Sequence, residues 1–307
     1  MDAEGFAYSA FLLGFALTAL AVACYVALSL WPGVVYRVAA TEAGATMTIA
    51  TSASGGPGWL RPSATASTWL AVAALTASLG ARWVATGRPP YSNLWEYTVG
   101  FGWGIVLFSA LFEWRFHPRA DAAASGRTVG ASVLPVALAL FAVSLAFFPS
   151  EVRPLLPALQ SSRILGAHVA TMVLAYAVLA VSFGAGALYL VQGGGEGRRF
   201  ARLPSGEALE EIGYRSVLVG FPLLTLGIAL GAYWAYQAWG RYWGWDPKET
   251  SALVIWLIYA GYLHARNLRG WRGWRSAWLL VAGFAAVLFS YFAVNLWVSG
   301  LHSYAGV

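Results

Sequence analysis

Charged residues are scarce in this chain. Of its 307 residues, 10% are Asp, Glu, Lys or Arg, whereas 59% are apolar. A soluble domain carries about 25% charged residues, so the composition excludes an ordinary soluble protein and indicates a membrane protein. The net charge of +6 is therefore better explained by basic cytoplasmic loops than by a nucleic-acid-binding surface.

Cysteine is almost absent as well, since Cys24 is the single cysteine and lies in an apolar run. One cysteine can form neither an internal disulfide nor a C-x-x-C or C-x-x-C-H motif. A thiol oxidoreductase and a c-type cytochrome are thereby excluded. The N-terminal M-D-A-E-G-F also lacks the basic start of a secretory signal, so we expect the first apolar run to remain as a membrane span.

Long apolar runs are abundant. A transmembrane helix needs roughly 20 mostly apolar residues. Eight segments meet this requirement, at about residues 6–31, 67–86, 95–113, 130–148, 163–191, 216–237, 248–265 and 276–299. The sequence therefore predicts an all-α polytopic membrane protein with about eight transmembrane helices, forming a single membrane domain over residues 1–307.

Basic residues are distributed unequally between the connections. The loops at about 32–66, 114–129, 192–215 and 266–275 hold thirteen Lys and Arg residues, and the rest of the chain holds six. Because cytoplasmic loops are enriched in Lys and Arg, we expect these four loops in the cytoplasm. Both termini and the segment at about 234–250 are then predicted to be extracytoplasmic.

Four tryptophans are concentrated between residues 234 and 245, and W-G-R-Y-W-G-W-D-P-K-E-T covers 239–250. Trp and Tyr collect at membrane interfaces, so an aromatic belt is one interpretation. A surface that stacks a planar ligand is the other, because Trp239 and Trp243 would share one face of a helical stretch. Composition alone does not decide between the two.

The charged residues of this segment also have two interpretations. Asp246, Pro247 and Glu249 have the spacing of a helix N-cap, a first-turn proline and the third-position partner of a capping box. We therefore predict that Asp246 and Pro247 begin the seventh span. Arg241 and Lys248 are instead candidates for binding an anionic ligand such as a carboxylate.

Three of the four histidines are candidate ligands, whereas His117 lies in a predicted cytoplasmic loop with no supporting pattern. His168, in the fifth span, and His302, after the eighth, lie on the predicted outer side with the tryptophans; they could bracket a metal macrocycle, since haem iron takes axial histidine ligands. His264 is about eighteen residues from Asp246, or roughly 27 Å along a helix, and must serve another site nearer the cytoplasm. Snorkelling or bonding to a neighbouring helix is the structural alternative for each histidine.

Several motifs together resemble one family. The stretch 239–250 resembles the WWD signature of haem-handling proteins in cytochrome c maturation. Y-L-H-A-R and V-N-L-W-V-S-G-L-H-S-Y further along the chain resemble CcsA (ResC) of the system II pathway, as do P-P-Y-S-N-L-W-E at 89–96 and H-V-A-T-M-V-L-A-Y-A at 168–177. The similarity to the CcsA family covers most of 88–103, 163–191 and 239–307.

The resemblance implies a function. Members of the family carry haem b across the membrane and attach it to the C-x-x-C-H motif of apocytochrome c, so the expected activity is that of a holocytochrome c synthase (haem lyase). It implies outer axial ligands at His168 and His302 and an inner haem ligand at His264. No catalytic residue is expected beyond those that position haem. The implied haem platform is Trp239, Trp243, Trp245 and Asp246, and we add Arg241 and Lys248 as candidate propionate contacts.

The resemblance also implies partners and a location. A second histidine for the inner site is expected on a separate CcsB (ResB) membrane protein. Apocytochrome c is the expected substrate, a thioredoxin-like apocytochrome reductant is a further candidate partner, and no nucleic acid is expected. The expected location is the bacterial cytoplasmic membrane, with the thylakoid as the alternative and the active face extracytoplasmic.

Two other functions are alternatives. One is a secondary transporter for a small organic anion, although the centres of the spans contain almost no acidic residues and no repeat is evident. The other is a haem-binding membrane subunit of a respiratory complex, whose histidines would lie within the spans. His168 and His302 are instead predicted at the outer face.

Overall fold

The computed structural model describes residues 2–31, 38–40, 46–48, 57–116, 120–152, 163–193, 203–298 and 300–301. In these ranges the chain forms eight helices: α1 (Ala3–Leu30), α2 (Leu60–Thr86), α3 (Leu94–Phe116), α4 (Ala120–Phe147), α5 (Arg163–Gln192), α6 (Gly206–Trp239), α7 (Pro247–Leu268) and α8 (Trp274–Leu296). Two short strands, β1 (Val38–Ala40) and β2 (Thr46–Thr48), pair antiparallel between α1 and α2. The predicted helical class is confirmed, and the strand pair is a small addition within the predicted loop 32–66.

Each predicted span corresponds to one helix. Seven of the described helices, all except α7, are long and apolar enough to cross a membrane. α7 has 22 residues, or about 33 Å at 1.5 Å per residue, but Lys248, Glu249, His264 and Arg266 make it more polar. The chain is therefore a multi-pass membrane protein, and the side that each terminus faces stays a prediction.

α6 begins well before its predicted span. The predicted span begins at residue 216, whereas α6 begins at Gly206. Ser205 caps the helix by accepting from the N–H of Ala208 at 3.3 Å, and Arg215 pairs with Glu211 at 2.6 Å one turn away. Hydropathy locates the apolar part of a helix, whereas capping and charged pairs extend this one beyond it.

The helices form two adjacent groups, α1–α4 and α5–α8. α5 packs along α6 and also contacts α3, α4 and α8, so it joins the two groups. Its close approach to α6 depends on glycines: a Cβ at Gly220 would lie 2.8 Å from Leu179, and one at Gly227 would lie 2.5 Å from Met172. Small residues at helix interfaces permit such packing in membranes. The first turns of α5, which carry His168, are thereby held against α6.

Candidate functional site

His168 lies at the end of the helix bundle where residues 240–246, here called the tryptophan loop, connect α6 to α7. Its Nδ1 is 2.7 Å from the carbonyl oxygen of Gly227. Because a carbonyl oxygen only accepts, Nδ1 carries the proton and the neutral ring has its lone pair at Nε2. The imidazole also lies against Gly231, where an added Cβ would be 2.6 Å from Cε1. α6 therefore sets both the tautomer and the orientation of the ring, as is common for metal-binding histidines.

A cavity of about 150 Å³ lies beside His168. Its walls come from α3, α5, α6, α7, α8 and the tryptophan loop, and they are mainly apolar and aromatic. An aromatic-lined cavity with few polar groups is typical of a small-molecule or cofactor site. The lining side chains include Tyr97, Phe101, His168, Tyr176, Trp234, Trp243, Lys248, Tyr291 and Asn295.

The four tryptophans do not form one flat surface. α6 ends at Trp239 because Gly240 takes a left-handed φ of +74°, so no single helical stretch places Trp239 and Trp243 on one face. Trp234 packs edge to face on Trp239 with centroids 4.8 Å apart, and Trp243 is perpendicular to Trp245 at 5.8 Å. Trp234 and Trp243 line the cavity, whereas Trp245 is 69% exposed.

Trp245 has a left-handed backbone, with a φ of +56°, and no other non-glycine residue in the described ranges has a positive φ. This conformation is unfavourable for a bulky residue and tends to occur at functional sites. Glu249 maintains it, because Oε2 accepts from the N–H of Gly244 at 2.7 Å and of Asp246 at 3.2 Å, on either side of Trp245. The turn thereby presents the indole at the surface.

Asp246 and Glu249 form the predicted capping box, with Pro247 in the first turn of α7. Asp246 is buried, with 6% of its surface exposed. Its Oδ2 accepts from the N–H of Lys248 at 3.1 Å, and its Oδ1 accepts from the N–H of Leu301 at 2.6 Å. The interpretation of Asp246 as a helix cap is confirmed, and the same carboxylate also binds the chain that follows α8.

The two candidate anion contacts differ in position. Lys248 lines the cavity and donates a hydrogen bond from Nζ to Oδ1 of Asn295. Arg241 is exposed and its guanidinium lies over Gly244. The structure thus brings Lys248, and not Arg241, to the cavity wall beside His168.

The segment P-P-Y-S-N-L-W-E also supports the cavity. Glu96 is fully buried and accepts from Nε of Arg82 at 2.9 Å and from the N–H and Oγ of Ser92 at 2.7 and 2.8 Å. Arg88 lies 3.8 Å from the same carboxylate. A buried charge is tolerated only when paired and hydrogen-bonded, so this network fixes the residues before α3. Ser92 and Tyr97 line the cavity, which gives the segment a role in shaping the site.

The other two candidate histidines lie away from the cavity or beyond the described residues. His264 is eighteen residues after Asp246 in one continuous helix, or about 27 Å. Its side chain is exposed and makes no hydrogen bond within the described part of the chain. It shares one exposed face of α7 with Val254, Leu257, Gly261 and Leu268. His302 lies outside the described residues, so its pairing with His168 stays a prediction.

Residues 91–302 match the family model described as cytochrome C assembly protein. The cytochrome c biogenesis protein CcsA of Guillardia theta is 39% identical over 262 residues, which cover 78% of this chain and 84% of the relative. CcsA of Synechococcus elongatus is 37% identical, with 75% of this chain and 83% of the relative covered. The chain belongs to the CcsA family.

A solved structure shares the fold of this CcsA-family chain. Cytochrome c heme lyase CcmF superposes with a TM-score of 0.66 and 19% identity. The match covers 95% of this chain and 47% of CcmF, so the chain spans about half the length of that protein. At this identity the similarity shows a common arrangement of helices.

The family match includes every residue of the cavity, whereas α1 and α2 precede it. The resemblance stated from the motifs is therefore confirmed, and it favours cytochrome c assembly over the transporter and the respiratory subunit. Sequence reasoning missed Asn295, Gly227 and Gly231. An amide inside the apolar α8 was a usable signal for Asn295, whereas nothing local distinguishes the two glycines from others in α6.

Proposed function

We propose that this CcsA-family chain handles haem in cytochrome c assembly and, with a CcsB-type partner, acts as a holocytochrome c synthase. It moves haem b from an inner site at His264 to the cavity beside the tryptophan loop. There it holds the haem for attachment to the C-x-x-C-H motif of apocytochrome c. One observation carries the proposal: His168 is oriented by α6, with its lone pair at Nε2, beside an aromatic cavity that Lys248 also lines.

At the outer site, His168 supplies one axial ligand to the haem iron and His302 supplies the other. Trp239, at the end of α6, and the loop residues Trp243 and Trp245 pack around the macrocycle, and Asp246 holds the turn that carries the loop tryptophans. Lys248 pairs with a propionate, since its ammonium group is at the cavity wall. Arg241 has a lesser role because its guanidinium lies over the loop backbone.

In the attachment reaction, the chain positions the reacting groups. Each cysteine thiol of apocytochrome c adds across one haem vinyl group. A carbon–sulfur bond forms, the vinyl double bond becomes single, and the thiol proton goes to the other vinyl carbon. No electrons are consumed, so the protein's task is to hold the vinyl groups near the thiols. The exposed Trp245 lies at the surface where the substrate peptide approaches.

The inner site needs a second chain. His264 is exposed on an apolar face of α7 and has no hydrogen bond among the described residues, which supports an iron ligand completed by a histidine of the CcsB-type partner. The membrane is the bacterial cytoplasmic membrane, and the tryptophan loop faces away from the cytoplasm. A thioredoxin-like reductant keeps the substrate cysteines as thiols.

Reconstitution tests the proposal. The chain is expressed with a CcsB-type partner and a C-x-x-C-H reporter in cells that lack their own maturation system. We expect covalent holocytochrome and a purified complex with a b-type haem spectrum, and neither in cells that lack the chain. A colourless complex from haem-replete cells, together with an unmodified reporter, would contradict the proposal.

A further inference from the structure

Lys248 and Asn295 form a hydrogen-bonded pair in the wall of the cavity beside His168. The ammonium Nζ of Lys248 donates to Oδ1 of Asn295, and Nδ2 of Asn295 donates to the carbonyl oxygen of Tyr291 at 2.6 Å. Because an ammonium group only donates and a carbonyl oxygen only accepts, one orientation of the amide satisfies both partners. Asn295 is thereby fixed on α8 and holds the end of the Lys248 side chain, which belongs to α7.

The hydrogen-bond partner of Lys248 is neutral, which distinguishes this pair from the buried cation between α2 and α3. There, Arg82 donates to the carboxylate of Glu96 at 2.9 Å, so that two opposite charges are paired. An amide oxygen also accepts a hydrogen bond from a cation, but it carries no net charge. Asn295 therefore orients the ammonium group and leaves its positive charge to act on the cavity.

The two acidic residues near Lys248 bind backbone groups. The Asp246 side chain accepts from the N–H groups of Lys248, Glu249 and Leu301, and the Glu249 side chain accepts from those of Gly244 and Asp246. Asp246 acts on Lys248 through space, but neither carboxylate forms an ion pair with Nζ in the described part of the chain. Among these residues, the amide of Asn295 is thus the group that binds the ammonium directly.

We propose that Asn295 is a positioning residue for anion binding by Lys248. It holds the ammonium group at the cavity wall without neutralising it, so that this wall selects a ligand that carries a carboxylate. The inference rests on the proposed function, in which the ligand is haem and the carboxylate is a propionate. A charge-assisted hydrogen bond is strong in a mainly apolar cavity, whereas a carboxylate at position 295 would pair with the ammonium group itself.

An isosteric substitution separates the charge at this wall from its shape. Asn295→Asp retains the size of the side chain and an acceptor for Lys248, but it adds a negative charge that pairs with the ammonium group. Asn295→Leu removes both hydrogen bonds of the amide and leaves the ammonium group charged but no longer held. Gln237→Glu is the matched control, because it makes the same change of charge at an exposed residue near the end of α6, outside the cavity wall.

The readout is the ratio of the affinities for haem and for haem whose two propionates are methyl esters, titrated into each variant in complex with the CcsB-type partner. All complexes carry His264→Ala, so that the titration reports on the cavity. With Asn295 present, haem should bind about five-fold more tightly than its diester, the effect of about one hydrogen bond. Asn295→Asp should abolish this preference, Asn295→Leu should reduce it, and Gln237→Glu should retain it. A general packing defect lowers both affinities together and leaves the ratio unchanged.

Three outcomes would overturn the positioning role and leave the proposed function intact. The first is an unchanged preference for haem in either Asn295→Asp or Asn295→Leu. The second is equal binding of haem and its diester when Asn295 is present, since no charge would then be recognised at this wall. The third is an equal loss of preference in Gln237→Glu, which would assign the effect to the overall charge at this end of the bundle. Failure of the complex to bind either ligand, with an unmodified C-x-x-C-H reporter, would instead contradict the proposed function.

Discussion

His168 and His264 occupy opposite kinds of surroundings in one bundle. His168 is half-buried, donates from Nδ1 to Gly227, lies against Gly231 and faces a cavity. His264 is exposed on an apolar face of α7, and no described residue forms a hydrogen bond with it. The two candidate ligands thus differ in how far their own chain prepares them.

The difference indicates which part of haem handling this chain completes alone. A histidine whose tautomer and orientation are fixed is pre-organised for the role of a metal ligand. An exposed imidazole on an apolar helix face has neither, and a second protein can supply both. We therefore infer that the site near the tryptophan loop is largely formed within this chain, and that the site at His264 is formed together with the CcsB-type partner.

The largest effect is expected when the prepared histidine is removed. His168→Ala should lower holocytochrome yield by at least the roughly 100-fold that loss of an outer-shell partner of a metal ligand can cost. Under the proposed assignment the iron would lose an axial ligand directly, and added imidazole should restore part of the yield by occupying the same space. The measurement is reporter haem staining with and without imidazole. Wild-type yield without imidazole would remove His168 from the site.

Disturbing only the surroundings of His168 should give a smaller loss. In Gly231→Ala, a Cβ 2.6 Å from the imidazole Cε1 must displace the ring, and we expect about a ten-fold lower yield, as for loss of an outer-shell partner. Gly100→Ala in α3, where a Cβ meets nothing within 4 Å, is the control and should match wild type. Equal yields in the two variants would show that the ring does not need this support.

Replacing the exposed histidine, His264, tests the site that is expected to need the partner. His264→Ala should leave the stability of the isolated chain within about 0.5 kcal/mol, as expected for an exposed side chain. In the complex with the CcsB-type partner, the haem content should fall to that of the outer site. Holocytochrome yield should then also fall, because less haem is supplied to the outer site. Leu257→Ala, on the same exposed face, is the control for lost apolar surface. Unchanged haem content in the His264→Ala complex would contradict an inner site at this residue.

The sequence predicted the parts of the molecule that depend on local pattern. The eight apolar runs correspond to eight helices, and the residues of the D-P-K-E stretch form a capping box. Hydropathy did not predict the polar start of α6, because Ser205 and a charged pair form it.

The details that prepare the site could not be predicted in this way, because they join residues far apart in the chain. The bond from His168 to Gly227 spans 59 residues, and that from Leu301 to Asp246 spans 55. The left-handed backbone of Trp245 is equally hidden from sequence reasoning, since it depends on which two N–H groups Glu249 binds. Helix packing determines these contacts, and hydrophobic periodicity does not specify how the helices pack.

The smallest expected effect is on haem binding, when the charge of Lys248 at the cavity beside His168 is removed. Lys248 reaches the cavity and Arg241 lies over the loop backbone, so Lys248→Gln should weaken haem binding about five-fold, the effect of roughly 1 kcal/mol for one hydrogen bond. Arg241→Gln should change haem binding less.

The decisive control is haem whose two propionates are methyl esters, with binding measured by titration of the purified complex. If Lys248 binds a propionate, wild type and Lys248→Gln should bind the ester equally, because the carboxylate that distinguishes them is gone. A five-fold difference that persists with the ester would assign Lys248 to the shape of the cavity, through Asn295, and leave the propionates to other groups.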